Sequence, residues 1–445
     1  MVVLFVLLFL GSCTIPKEVA SIYDYGIKDS VPVNHKKAQV FFDENEIIEI
    51  PSDMLFVVNG DLVLKGKKTL IINGTLKGIQ ANERIITDGD VRIIGKGNLV
   101  RFAVEVRGGT FSMSDVSIAK TGRTAAILIN NKDKVVEDFK VSGVNIKDCA
   151  FGILRQGKGG QLPVRYGLIE NCSISDCRGD GIEWNIGNKD GKFEILNNKI
   201  NNINSDLRGP ISEEWGIGIG VAGKGYSDDF SNCVKNFRIE GNVIENVRHG
   251  IHVEAGRDFT IKNNKVVTNS KVSLRSQKLL SLVGIAVYGS KNYVIEQNEI
   301  LAKKGRAMEN QFGSLPKIWY LASPTNYKVI GNKIEGGVIN WCSGDGNEVL
   351  VEGNTIKGKL LHRGAAKHLL KNNTILSNGD KLGLEIDFFG TKDSRAKYNA
   401  KSDFLILDVN NKVTDSKGKE SKLIKSKNKI KIYQNLSDYN NNRRR

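Results

Sequence analysis

The sequence predicts an all-β chain wound as a single-stranded, right-handed parallel β-helix. Three observations carry this reading. An eight-residue pattern, aromatic-x-Ile-x-x-Asn-x-Ile, returns again and again along the chain. Its short steps lie close to one length, about 20 residues. The composition holds 47 Gly and 43 Asn but only 7 Pro in 445 residues, which suits many turns between strands whose N–H groups must pair. A hydrophobic content of 40% excludes a largely disordered chain.

The pattern is clearest in Phe193-Glu-Ile-Leu-Asn-Asn-Lys-Ile200 and recurs at 237–244, 259–266, 293–300 and 327–334. Weaker copies run over 349–356 and 368–375, and an earlier one over 139–146 has Val144 in the Asn place. The Asn residues are Asn198, Asn242, Asn264, Asn298, Asn332, Asn354 and Asn373, spaced 44, 22, 34, 34, 22 and 19 apart. Period-two alternation within each copy makes it a strand. A solenoid stacks such copies, so each Asn lies on the next and its amide can bond into a ladder. Asn also tolerates the left-handed conformation of a sharp corner. Both properties account for the Asn excess. Propeller blades repeat at a longer interval, and no leucine-rich pattern is present.

From the N-terminus, residues 1–13 read as an export signal. Val2 opens an apolar run to Leu10 that is too short to span a bilayer. It ends in Leu10-Gly-Ser-Cys13, which resembles a bacterial lipobox, so Cys13 is the expected lipidation site. That places the protein outside the cytoplasm, in the periplasm or as an outer-membrane lipoprotein of a Gram-negative cell. Residues 14–40 read as a linker and N-terminal cap, and 41–390 as the β-helix. Turn pairs Asn59-Gly60 and Asn73-Gly74 separate its first strands. Residues 391–445 form a basic cap or tail. Positions 396–445 hold thirteen Lys and Arg against five Asp and Glu, which is half of the net charge of +16. Basic charge favours anionic partners. No groove-entering helix or stacking motif accompanies it, so nucleic acid is not expected. Cys149, Cys172, Cys177, Cys233 and Cys342 have no metal-ligand spacing. They read as small buried residues, the first three close together if their repeats stack.

A second strand in several coils carries Gly-Ile: Gly152-Ile153, Gly181-Ile182, Gly218-Ile219, Gly250-Ile251 and Gly284-Ile285. With each Ile inside, Glu183 and Asn185 face out, then Gly220 and Ala222, then His252 and Glu254, then Ala286 and Tyr288. Acids thus flank a bare centre on one outer face, the arrangement of a cleft for an extended chain. Paired carboxylates are the tools of glycoside hydrolysis, so Glu183 and Glu254 are candidate acid and base. Asp180, at the turn before Glu183, is a third candidate; Asp in Gly-Asp-Gly is equally a turn former. Arg155, Gln156, Asn185, Trp215, Tyr226, His252 and Tyr288 are candidate substrate contacts, with Arg155 suited to an acidic sugar. The string from Gly218 to Gly223 imitates a dinucleotide fingerprint, but nothing helical follows it. No cofactor and no metal site are expected.

The strings Ile153-Leu-Arg-Gln-Gly157, Gly179-Asp-Gly-Ile-Glu-Trp-Asn185, Trp215-Gly-Ile-Gly-Ile-Gly-Val-Ala-Gly223, His252-Val-Glu254 and Ala286-Val-Tyr-Gly289 occur in this order. They resemble the family of the colanic acid biosynthesis protein encoded last in the enterobacterial colanic acid cluster, and the related phage colanidase tailspikes. The resemblance is strongest over 150–300. It implies a pectin-lyase-like β-helix that handles a fucosylated, uronic-acid-containing exopolysaccharide, with Asp180, Glu183 and Glu254 as the acids to test. Ala255 departs from the Asn expected after the second Glu. Phage relatives are trimers; the sequence leaves the oligomeric state open. The expected function is that of an exported glycoside hydrolase on an anionic, colanic-acid-like polymer. A non-catalytic polymer-binding protein and a polysaccharide lyase remain the alternatives.

Overall fold

A computed structural model of the chain describes residues 19–122, 125–155, 160–203, 216–225, 230–268, 282–311, 324–341, 348–363, 367–377, 384–387, 404–415, 417–420 and 430–433. It shows a right-handed parallel β-helix. Strands pair in parallel with the equivalent strand one coil on, three strands to most coils, so three parallel sheets run along one axis. The first sheet carries the aromatic position, the second is short, and the third carries Gly-Ile.

The N-terminal end is closed by a helix, His35–Glu44, which buries Ala38, Phe41 and Phe42 against the first coils. It runs through position 41, where the alternation alone would begin the coils; the strand Ile47–Ile50 follows it. The buried Lys68 ammonium donates to the carbonyls of Phe42, Asp43 and Asn45 at 2.7, 2.9 and 2.6 Å. A cation is well placed there, because the last carbonyls of a helix have no partners of their own.

The interior is filled by stacked like residues. Phe193, Phe237, Phe259, Tyr293 and Tyr327 lie ring on ring, with centroids 4.4 to 5.0 Å apart. Gly167 holds the aromatic place between Phe139 and Phe193. The space it leaves is taken by the Trp184 indole from another sheet, which stacks on Phe193 at 4.7 Å. A Cβ at Gly167 would sit 2.7 Å from that indole.

The Asn ladder is present, buried from Asn198 to Asn373, and one rung longer than the sequence pattern, extending to the half-buried Asn411. Each amide donates to the Oδ1 of the next, as Asn264 does to Asn298 at 3.0 Å, and that Oδ1 also accepts the backbone N–H. The amide's other hydrogen reaches a carbonyl one coil back, as Asn298 does to Ile261. Val116, Val144 and Cys172 precede Asn198 in the same place. The ladder does not also make the corner. The left-handed residue is the one before it, with φ of 55°, 54°, 56° and 53° at Asn197, Asn263, Gln297 and Asn372, or a glycine such as Gly241. The Asn excess therefore comes from two adjacent positions with separate duties. Cys149, Cys172, Cys177 and Cys233 are buried free thiols, and burial raises the thiols of Cys149, Cys172 and Cys177, Cys172 to about 12. Cys13 and Cys342 lie outside the described residues.

Candidate functional site

The Gly-Ile sheet consists of strands Phe151–Arg155, Ile182–Trp184, Ile217–Ala222, His249–Glu254, Val283–Tyr288 and part of Glu299–Gln311. Packing explains most of its glycines. A Cβ on Gly152, Gly181, Gly218, Gly250 or Gly284 would come within 2.2 to 2.7 Å of a neighbouring backbone oxygen or interior side chain. Gly220 is different. A Cβ there would meet nothing closer than 3.6 Å, and its φ is not in the left-handed range. Neither fold nor conformation demands glycine at 220, and its effect is to leave the outer surface bare.

Two outward columns cross this face. One runs Leu154, Glu183, Gly220, His252, Ala286, Glu309. The other runs Ala222, Glu254, Tyr288, Gln311. Glu183 and Glu254 thus lie two coils apart and two residues offset along the strand. With coils spaced ~4.8 Å and residues ~3.3 Å, their Cα atoms are about 12 Å apart. The bare pair Gly220 and Ala222 lies between them.

Glu183 accepts from the Asn185 amide. Glu254 is bonded to His252 Nε2 at 2.8 Å, and His252 Nδ1 meets His249 Nδ1 at 2.9 Å. With Nε2–H donating to the carboxylate, His252 Nδ1 accepts from His249 Nδ1–H, so both hydrogen bonds of the chain point outward to Glu254. Both rings are buried. The His252 ring lies 5.2 Å from Tyr288. The Tyr288 hydroxyl donates to the buried Glu309 carboxylate at 2.7 Å, which also takes the Gln311 amide and the Arg306 guanidinium. Burial and the Glu309 charge raise the Tyr288 pKa, so its hydroxyl keeps its proton.

Three of the residues singled out in the sequence belong to the scaffold or have less freedom than expected. Arg155 lies on an inward column, level with Trp184 and Val221, and is 2% exposed. Its guanidinium pairs with Asp190 at 2.6 Å and donates to the Asn185 carbonyl at 2.9 Å. Asp190 also accepts from the Trp184 indole at 2.8 Å and the Val164 amide at 2.9 Å. Burial raises the Asp190 pKa and Arg155 opposes it. Arg155 therefore fixes the strand that presents Glu183 and is sealed from any ligand. Asp180 is also buried, and its Oδ1 accepts the Ile217 amide at 2.7 Å. It stands beside buried Arg248, whose pKa burial lowers to about 10 against the opposing charge of Asp180. Asp180 is a structural acid that ties two coils together. Tyr288 faces the cleft with its hydroxyl already engaged. Gln156, Trp215, Tyr226 and Cys13 lie outside the described residues. His249, Arg306, Glu309 and Gln311 were not anticipated from the sequence. Among the described residues no group of His, Cys, Asp and Glu could hold a metal ion. No described helix is long and apolar enough to cross a membrane.

Compared with known proteins, residues 7–440 match a family described as colanic acid biosynthesis WcaM. The chain belongs to this family. The WcaM protein of Salmonella typhimurium is 26% identical over 422 residues, covering 91% of this chain and 88% of the relative. The WcaM protein of Shigella flexneri is 27% identical over 421 residues with the same coverage. Similar solved structures include the catalytic unit of an α-1,3-glucanase from Streptomyces thermodiastaticus, with a TM-score of 0.49 and 12% identity over 95% of this chain and 70% of that one. A tailspike mutant of E. coli bacteriophage HK620 with a bound pentasaccharide gives 0.41 and 10%, over 86% and 74%.

Proposed function

We propose that this WcaM-family protein is an exported glycoside hydrolase that acts on an anionic, colanic-acid-like exopolysaccharide along the Gly-Ile face. The observation that carries the reading is Gly220, a glycine that the fold does not require, set between two carboxylates on a rigid sheet. A polymer strand lying there would pass between Glu183 and Glu254. Side chains leaning across the bare centre reach the ~6.5–9.5 Å separation of an inverting pair. Glu254 is the base: it takes a proton from the attacking water, while His252 Nε2–H holds the carboxylate in place. Glu183 is the acid that protonates the leaving oxygen. The family's description supports the choice of polymer class. Lipidation at Cys13 is part of the same proposal; labelled palmitate should enter the wild-type protein and not C13A.

The test is E183Q. It should lower release of reducing ends from colanic acid by about 10²- to 10⁴-fold, with an unchanged melting temperature. Full activity in E183Q would refute the assignment. A non-catalytic holding protein is the second reading, favoured by the internal hydrogen bonds that already engage both carboxylates. It predicts polymer retained by the protein and unchanged in length over days. For the lyase reading, in which Arg155 or a Lys would be the base, burial of Arg155 inside the helix leaves a Lys as the candidate.

A further inference from the structure

A second groove lies on a different sheet, outside strands Lys192–Leu196, Val234–Glu240, Gly256–Lys262 and Lys291–Glu296. One outward column there runs Glu194, Arg238, Thr260, Val294, Lys328, Leu350. Long side chains stand at Arg238 and Lys328, and the two coils between carry only Thr260 and Val294. The result is a trough of about 760 Å³, within the ~300–1,000 Å³ of ligand sites.

Its walls are stiff. The floor rests on Phe237 and Phe259, stacked at 4.4 Å. Asn236, Asp258 and Asn292 form one rim in three successive coils, all left-handed, with the Asn292 amide donating to Asp258 at 3.1 Å. At one end Glu194 is fixed by the Tyr166 hydroxyl, Lys192 and Arg238. Amides, a carboxylate, a hydroxyl and a guanidinium around a floor of Val294 and aromatic edges suit a ligand with hydroxyls at its edge and C–H groups on its face. That is a sugar ring.

We propose that this trough is a second, non-catalytic polysaccharide-holding site that takes one or two sugar units of the same polymer. The proposal rests on the polysaccharide reading above. Two holding faces on one rigid solenoid would raise the local concentration of polymer at the Gly-Ile face.

The test is electrophoresis of the full chain through gels containing purified colanic acid. T260W and V294W fill the trough at outward, extended positions; L350W places the same ring further along the same column. T260W and V294W should each weaken retardation by about fivefold or more, while L350W should match wild type. Equal retardation of T260W, V294W and wild type, with unchanged melting, would overturn the trough and leave the polysaccharide reading standing. Free migration of the wild-type protein would overturn both.

Discussion

Gly218 and Gly220 sit two residues apart in one strand and are glycines for opposite reasons. At 218 a side chain would strike Ile244 at 2.5 Å and the Gly250 carbonyl at 2.7 Å; at 220 there is room. The same contrast separates the two regions of the coil. Positions that repeat from coil to coil, the Asn ladder, the aromatic stack and the inward glycines, are held by contact with their own copies. Positions on the outward columns change at every coil, from Glu to Gly to His to Ala to Glu. In a solenoid, repetition marks what the fold needs, and its interruption on a rigid face marks where chemistry can sit.

The contrast can be broken at several points. D190A should do most damage, because it leaves the Arg155 guanidinium buried without its anion; a loss of about 3–5 kcal/mol in urea unfolding is expected. Wild-type stability would mean that the lock under Glu183 is dispensable. G218A should cost about 2–4 kcal/mol by forcing two coils apart. N298A, in mid-ladder, strands the Asn264 amide and backbone N–H and should cost about 1–3 kcal/mol.

Stability should also depend on pH. His362 and His368 are buried with Nδ1 atoms 2.9 Å apart, and burial lowers both pKa values, His362 to about 3 from an ordinary 6.5. They are neutral in the fold, while the unfolded chain takes up protons below about 6.5, so stability is full above that pH and falls as pH drops toward 3. Between pH 7 and 4.5 the wild type should lose several more degrees of melting temperature than H362L/H368L; equal slopes would contradict it. G220A should be the mildest change, within about 0.5 kcal/mol of wild type, yet G220W should abolish release of reducing ends and weaken polymer retention. A G220A protein as unstable as G218A would erase the distinction between the two glycines.

Much of this was legible from residue order. The ladder could be found because one residue type recurs at a fixed offset from an Ile; Asn411 escaped because no aromatic strand of the same form precedes it. The outward columns followed from period two. The same alternation, applied to Ile153, puts Arg155 inside, but its charge suggested otherwise. Its partner Asp190 is 35 residues away, beyond any local pattern. Glu309 and Arg306 were hidden because Ala307-Met308 replaces Gly-Ile in the sixth coil of that face. The corner and ladder duties of Asn merged in the sequence because the two residues are neighbours, and only backbone angles separate them.

The crowded inward glycines have one more consequence. They bar side chains at one position in each of the first five coils of the Gly-Ile face, and Ala307 takes that place in the sixth, while the Ile and Val columns are committed to the interior. Each coil is left with two free characters: 183 and 185, 220 and 222, 252 and 254, 286 and 288, 309 and 311. The face is a short text with two letters to a line and lines ~4.8 Å apart. A new polymer specificity would be written there by substitutions in register on successive lines, with the page itself unchanged.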